Sequence, residues 1–137
     1  MNGLVFFDTN VLVYADDTSS PAKQQKAIEL FSTHRRRGSA VLSLQVLQEY
    51  FFAATRKLAI PAEVAQKKVE ILTRARIVRF EAADVVAAIE LHRLVHISFW
   101  DALIVHAARI SGASVLYSED FQDKAVFGSV RVVNPFL

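Results

Sequence analysis

The chain has 137 residues, 53% of them hydrophobic, no cysteine and a net charge of only +2. That length and apolar content suit a single domain with one buried core. The absence of thiols excludes disulfides, thiolate metal sites and cysteine nucleophiles, so any metal must take oxygen or imidazole ligands, which points to hard cations.

The first apolar run, Leu4 to Phe7, reads as a strand. Four apolar residues with no basic flank are too few for a signal peptide or a membrane span. Asp8, Thr9 and Asn10 follow, and Asp8 is a favoured N-cap for a helix starting near Val11. Asp16 and Asp17 fall in a polar turn. Ser20 and Pro21 form an N-cap and first-turn pair, the amphipathic run continues to Arg37, and Gly38 stops it. Ala40 to Leu42 is a second strand, and Ser43 caps a helix over Leu44 to Leu58 with Glu49 in its middle. Pro61 opens a further helix that ends near Arg74, Ile77 to Phe80 is a third strand, and Asp84 to Val95 is helical. Ser98 and Asp101 have the spacing of a capping box and open the helix that Gly112 closes. Within it, the longest greasy stretch, Phe99 to Ile110, is interrupted by charge and too short to cross a bilayer. Ser114 to Tyr117 and Val130 to Val133 supply the last strands. Short apolar runs alternating with helical periodicity predict an α/β fold, a parallel sheet with helices on its faces. No linker, repeat or low-complexity segment divides the chain, so residues 1–137 read as one domain, expected to be soluble, cytoplasmic and without membrane association.

Most of the 14 carboxylates sit where solvent suffices. Asp16 and Asp17 are in a turn, Glu29, Glu63, Glu70 and Glu90 fit solvated helix faces, and Glu81 and Asp84 flank a helix start. Four others stand in apolar surroundings: Asp8 after Leu4 to Phe7, Glu49 before Tyr50-Phe51-Phe52, Asp101 in Phe99-Trp100-Asp101-Ala102, and Asp120 before Phe121. None has a Lys or Arg within three residues, and an ionised carboxylate withdrawn from water needs a cation or dense hydrogen bonding. Either distant arginines fold onto these acids or they share a metal. Asp8 and Asp120 fall after strands, and the C-terminal strand edge of an open parallel sheet is where ligands collect. Capping alone is a sufficient role for Asp101 beside Ser98 and for Asp8, whereas Glu49 in mid-helix has no such role.

Other groups read as structural. His34, His92, His96 and His106 share no ligand spacing, and Arg35-Arg36-Arg37 ends a helix, where cations suit the macrodipole. With four glycines in all and no phosphate loop, nucleoside triphosphate and dinucleotide binding are not expected.

The segments Phe7-Asp8-Thr9-Asn10-Val11-Leu12-Val13-Tyr14, Leu47-Gln48-Glu49-Tyr50, Ile97-Ser98-Phe99-Trp100-Asp101-Ala102-Leu103-Ile104 and Tyr117-Ser118-Glu119-Asp120-Phe121 resemble, in order and spacing, the PIN-domain family, specifically VapC-like toxins of toxin–antitoxin pairs. The resemblance spans essentially the whole chain. It implies a five-stranded parallel sheet flanked by helices and a Mg²⁺- or Mn²⁺-dependent endoribonuclease that hydrolyses RNA with a metal-activated water and leaves a 5′-phosphate. It further implies a homodimer restrained by a cognate antitoxin protein. Carried over by position, Asp8, Glu49, Asp101 and Asp120 are the metal-holding and catalytic acids, with Thr9, Asn10 and Ser118 as supporting polar groups. Glu119 and Asp123 stand close enough to replace or assist Asp120.

Two other enzyme readings fit less well. A phosphatase using Asp8 as nucleophile expects a second Asp where Asn10 stands, and a receiver-type domain expects an acceptor Asp that Phe80-Glu81-Ala82 does not supply. A PIN-type module that binds RNA or protein without catalysis is the remaining alternative, and such modules typically lose acids that are all present here. Arg56, Lys57, Arg109 and Lys124 are candidate basic residues for contacting RNA.

Overall fold

Strand β1 (Val5–Phe7) is buried along its whole length, as is β2 (Ala40–Ser43), which is the pattern of strands covered on both faces rather than one. The computed structural model describes residues 3–137; Met1 and Asn2, which the reading of the chain as one domain includes, lie outside the described residues. After β1 come α1 (Thr9–Tyr14) and α2 (Pro21–Arg36), and after β2 come α3 (Leu44–Arg56) and α4 (Ala62–Leu72). Then follow β3 (Arg76–Val78), α5 (Ala82–Val95), α6 (Phe99–Ser111), β4 (Val115–Tyr117), β5 (Val126–Phe127) and β6 (Val130–Val133). Among the described residues no helix is long and apolar enough to cross a membrane.

The strands order as β3-β2-β1-β4-β6-β5. Every pairing is parallel except β5 with β6. The sheet is therefore six-stranded and mixed, where a five-stranded parallel one was expected. The extra strand is two residues long, too short to carry an alternating pattern, and Phe127 and Val130 pair across a Gly128-Ser129 loop whose glycine has φ +62°. Strand β3 begins and ends earlier than the apolar run Ile77 to Phe80, because an edge strand is fixed by its pairing with β2 rather than by hydrophobicity.

From β1 the chain builds outward through β2 and β3, then crosses back to place β4 on the other side of β1. The reversal lies between β1 and β4, which run parallel with Phe7 opposite Tyr117. Their C-terminal ends open the crevice where ligands of such sheets bind. Beneath it, Phe6, Phe7, Leu12, Leu42, Tyr50, Leu72 and Leu116 are fully buried in one apolar cluster.

The helix starts largely follow their capping residues. Ser43 Oγ accepts from Val46 N at 3.3 Å and Ser98 Oγ from Asp101 N at 3.0 Å. The reciprocal capping box, however, is at α5, where Glu81 and Asp84 bond to one another's backbone amides. Asp84 also accepts from His106 Nε2 at 2.9 Å, which gives that histidine a structural role.

Asp16 departs from the expected solvated turn. Its carboxylate accepts from the buried Tyr50 hydroxyl at 2.7 Å and pairs with Lys68 at 3.0 Å, so it ties the end of α1 to α3 and α4. Burial and the Asp16 bond together push the Tyr50 phenol pKa up, so it stays the donor. Tyr50→Phe is expected to lower stability by about 1–2 kcal/mol, read from the urea midpoint, because the hydrogen bond is lost while Asp16 keeps Lys68.

Candidate metal centre

Asp8 follows directly on β1, and its backbone amide donates to Tyr117 O at 3.0 Å, continuing the ladder with β4. The side chain is only 5% exposed. It caps α1 by accepting from Thr9 N at 2.7 Å, so the capping role read from the sequence is real. It does more than cap: its other oxygen accepts from the Ser118 hydroxyl at 2.8 Å, just past β4.

Ser118 is fully buried and organises this edge. With its one proton donated to Asp8, its oxygen is left to accept from Asp120 N at 3.1 Å and Asn10 Nδ2 at 3.2 Å. The Asn10 amide also donates to Asp120 Oδ2 at 3.0 Å, with a longer 3.4 Å approach to Asp8 Oδ2, while its carbonyl oxygen accepts from Glu119 N at 3.3 Å. Asn10 and Ser118 thus join Asp8 to Asp120 across the β1–β4 crevice.

Glu49 reaches the same edge from α3. The Thr9 hydroxyl donates to its Oε1 at 2.6 Å, and Gln45 Nε2 donates to its Oε2 at 3.1 Å. The same Gln45 amide lies 3.3 Å from Trp100 O, linking Glu49 to the first turn of α6, where Asp101 stands. Gln45 did not enter the sequence reading, although its position one helical turn before Glu49 was the available signal.

Electrostatics show which acids face one another. Burial raises the Asp8 pKa from 3.8 to about 7; the Ser118 hydroxyl and Thr9 amide pull it down, and the charges of Asp120 and Glu49 push it further up. Burial also raises Asp101, with the Ser98 hydroxyl opposing and Asp120 and Glu49 again adding to the rise. Buried Asp8 and half-buried Asp101 therefore both feel Asp120 and Glu49, and no cation is among the charges that move either of them. Among the described residues no arginine forms an ion pair with any of the four acids.

The alternatives to Asp120 are engaged elsewhere. Glu119 pairs with Lys23 at 2.9 Å and accepts from the Tyr14 hydroxyl at 2.6 Å. Burial pushes its pKa up, but Tyr14 and Lys23 outweigh that and hold it below the ordinary value. Asp123 accepts from Asn134 N at 2.8 Å and fastens the C-terminal segment. Of the basic residues singled out, Arg109 lies against Gly128 in the β5–β6 turn, while Lys57 lines a cavity of about 560 Å³ together with Thr9, Asn10, Asp17, Glu49, Glu119 and Asp120.

Among the described residues, no three His, Cys, Asp or Glu side chains form a group that could hold a metal ion as they stand. Thr9, Asn10, Ser118 and Gln45 are instead hydrogen-bonded to Asp8, Glu49 and Asp120. The donor set nevertheless fits a hard divalent ion. It is all oxygen, one of its carboxyls is buried and three are open to solvent, and Mg²⁺ typically takes one or two carboxylates and keeps several waters rather than needing a closed protein cage.

Residues 5–126 match the family model described as the PIN domain. The chain belongs to the PIN-domain family. No curated protein matches it in sequence. Among solved structures, this PIN domain is similar to VapC20 of Mycobacterium tuberculosis, described as a toxin that cleaves the sarcin–ricin loop, with 25% identity, a TM-score of 0.70, and coverage of 93% of this chain and 98% of that one. It also shares its fold with a toxin–antitoxin complex from Klebsiella pneumoniae (18% identity, TM-score 0.69, coverage 96% and 97%). A third relative in fold is VapBC2 from Rickettsia felis bound to a DNA fragment of its promoter (20% identity, TM-score 0.69, coverage 94% and 96%).

Proposed function

We infer that this PIN domain is a Mg²⁺- or Mn²⁺-dependent endoribonuclease, the toxin of a toxin–antitoxin pair, working as a cytoplasmic homodimer that a cognate antitoxin holds in check. The observation that supports the nuclease reading is that the charges of Asp120 and Glu49 act on both Asp8 and Asp101 beside the crevice between β1 and β4, with no cation among the charges that move those two. Four acids assembled without a cation are a standing electrostatic cost unless a cation is their purpose. The toxin and antitoxin parts rest on the kinship with the toxin structures.

In this reading Asp8, Glu49, Asp101 and Asp120 hold the ion, and Thr9, Asn10, Ser118 and Gln45 set the direction of their lone pairs. A bound Mg²⁺ or Mn²⁺ supplies Lewis-acid polarisation of the scissile phosphate and lowers the pKa of water in the site. Asp8, with its pKa near 7, gives up its proton when positive charge arrives, so ion uptake is coupled to proton release. Asp120 and Glu49, which line the open cavity, are the acids an incoming phosphodiester meets first.

The test is cleavage of a mixed pool of structured RNAs with Mg²⁺, with Mn²⁺ and with chelator. Metal-dependent cutting is expected, and its absence from folded protein in either ion sinks the reading. The non-catalytic module is favoured by one observation, the lack of a ready-closed metal group among the described residues. Calorimetric titration with Mn²⁺ separates the two, since a vestigial site takes up no ion. Ser118→Ala is expected to weaken Mn²⁺ uptake by about 10–100-fold in the same titration, the usual loss when a group orienting a metal-binding carboxylate is removed.

A further inference from the structure

Helix α3 presents one continuous stripe beside the acids. Glu49, Phe52, Ala53, Arg56 and Lys57 follow at the spacings that fall on one helix face. Glu49, Phe52, Ala53 and Lys57 line the same cavity as Thr9, Asn10 and Asp120. The Phe52 ring is 63% exposed, which no packing need explains, and the Arg56 guanidinium sits over it at 5.4 Å from the centroid. Lys57 is the only cationic side chain in the cavity lining. Among the described residues its ammonium makes no ion pair within 4.0 Å, although its charge helps to hold Asp17 and Glu119, which line the same cavity, below their ordinary pKa values.

An exposed aromatic face, a guanidinium over it and an ammonium outside any close ion pair, all leading away from a site of negative charge, match the needs of an unpaired nucleic-acid strand. Bases stack on the ring irrespective of sequence, and cations take the backbone phosphates. A base held in a duplex offers no face to such a ring. From Glu49 the ring lies about 4.5 Å along the helix axis and Lys57 about 12 Å, at 1.5 Å per residue. A strand leaving the acids along α3 meets the ring first and the ammonium next.

We propose that Phe52 and Lys57, at the outer end of α3, position the RNA: Phe52, backed by Arg56, stacks an unpaired nucleobase adjoining the scissile phosphate, and Lys57 holds a neighbouring phosphate. The proposal rests on the nuclease reading for its direction and adds to the acids two side chains that grip the strand.

Binding is measured by fluorescence anisotropy of the full chain in chelator, with a short labelled oligouridylate and with a blunt RNA duplex as probes. Phe52→Ala is expected to weaken the oligouridylate about tenfold, the share of a single stacked base, and to leave the duplex unchanged, while Phe52→Trp restores binding. Lys57→Ala is expected to weaken both probes and to reduce the slope of log affinity against log salt by about one. Oligouridylate binding untouched by Phe52→Ala, or lost equally for both probes, overturns the part of Phe52 and leaves the ring to the adjoining apolar groove of Leu47, Phe51 and Val69 and a protein segment. An unchanged salt slope overturns the part of Lys57. Metal-dependent cleavage with a neutral Phe52→Ala removes this inference alone; Phe52-dependent binding by a protein that never cleaves removes the nuclease reading alone.

Discussion

Asp8→Asn is expected to cut metal-dependent RNA cleavage by at least about 100-fold, with the fold intact. The exchange keeps the size of the side chain, and the Asn oxygen can still accept from Thr9 N or the Ser118 hydroxyl, so the crevice between β1 and β4 persists. What it removes is a negative charge at the most buried of the four acids. A metal ion contributes several kcal/mol of charge stabilisation to phosphoryl chemistry, and each 1.36 kcal/mol is a factor of ten in rate. Asp101→Asn is expected to behave likewise, because Asp101 feels the same Asp120 and Glu49 charges. Glu119→Gln serves as the contrasting variant. Its partners are Tyr14 and Lys23, so it is expected to lose a little stability and to retain most cleavage. If Glu119→Gln abolishes cleavage and Asp120→Asn does not, the assignment of the fourth acid is wrong. Initial rates in Mn²⁺, each variant at matched concentration, make the comparison.

In chelator, the melting temperature of the unsubstituted chain is expected to fall as pH rises from 6 to 8.5, and Asp8→Asn is expected to remove most of that fall. The folded-state pKa of Asp8 is raised from 3.8 to about 7, chiefly by burial. A carboxyl raised in this way contributes stability that is fully present below its unfolded value and lost as pH climbs through the folded one. The full difference, spread from about pH 4 to 7, is on the order of 4 kcal/mol; the part that falls between pH 6 and 8.5 is about one pKa unit, on the order of 1.4 kcal/mol, or a few °C for a chain of this length. Acids whose pKa values are lowered, such as Asp84 and Glu119, act in the opposite sense but remain ionised throughout this window, so they do not mask it. Adding Mn²⁺ at pH 8 is expected to restore the unsubstituted chain, by about 2.7 kcal/mol at a hundredfold excess over the dissociation constant, and to do little for Asp8→Asn. Near pH 6 protons compete for the same oxygens and the metal effect shrinks. A melting temperature flat with pH in chelator, or an equal response to Mn²⁺ in both proteins, sinks this account.

Much of the fold was open to local reading because its signals are local. Ser20-Pro21, Ser43 and Ser98 announce helices and Gly38 and Gly112 end them, and each acts through the backbone within a turn or two. The central strands are apolar throughout because both faces are covered, so they stand out against the helical periodicity between them. The two-residue β5 left no such trace. Its existence depends on β6 lying alongside, although the Gly128-Ser129 pair was a hairpin signal in plain sight. The boundaries of β3 were likewise set by a neighbour.

The amino-acid sequence alone singled out Asp8, Glu49, Asp101 and Asp120 as carboxylates flanked by apolar residues with no Lys or Arg close by; in the structure only Asp8 is buried, Glu49 and Asp101 are half-buried and Asp120 is exposed, because burial depends on what packs over a segment. Only the tertiary structure decided who their neighbours are. The crossing of the chain back over β1 puts Asn10 and Ser118, 108 residues apart, within 3.2 Å and bridges Asp8 to Asp120 through them. It turns Glu119 to Lys23 and Asp123 to Asn134, a sorting of three acids within five positions that no spacing rule makes. It also takes Asp16, which in sequence is one more turn residue, into the joint between α1, α3 and α4. The physical reason is the same in each case: hydrogen bonds and Coulomb forces act over a few ångströms of space without regard to separation along the chain, and the parallel sheet is what converts distant sequence positions into those few ångströms.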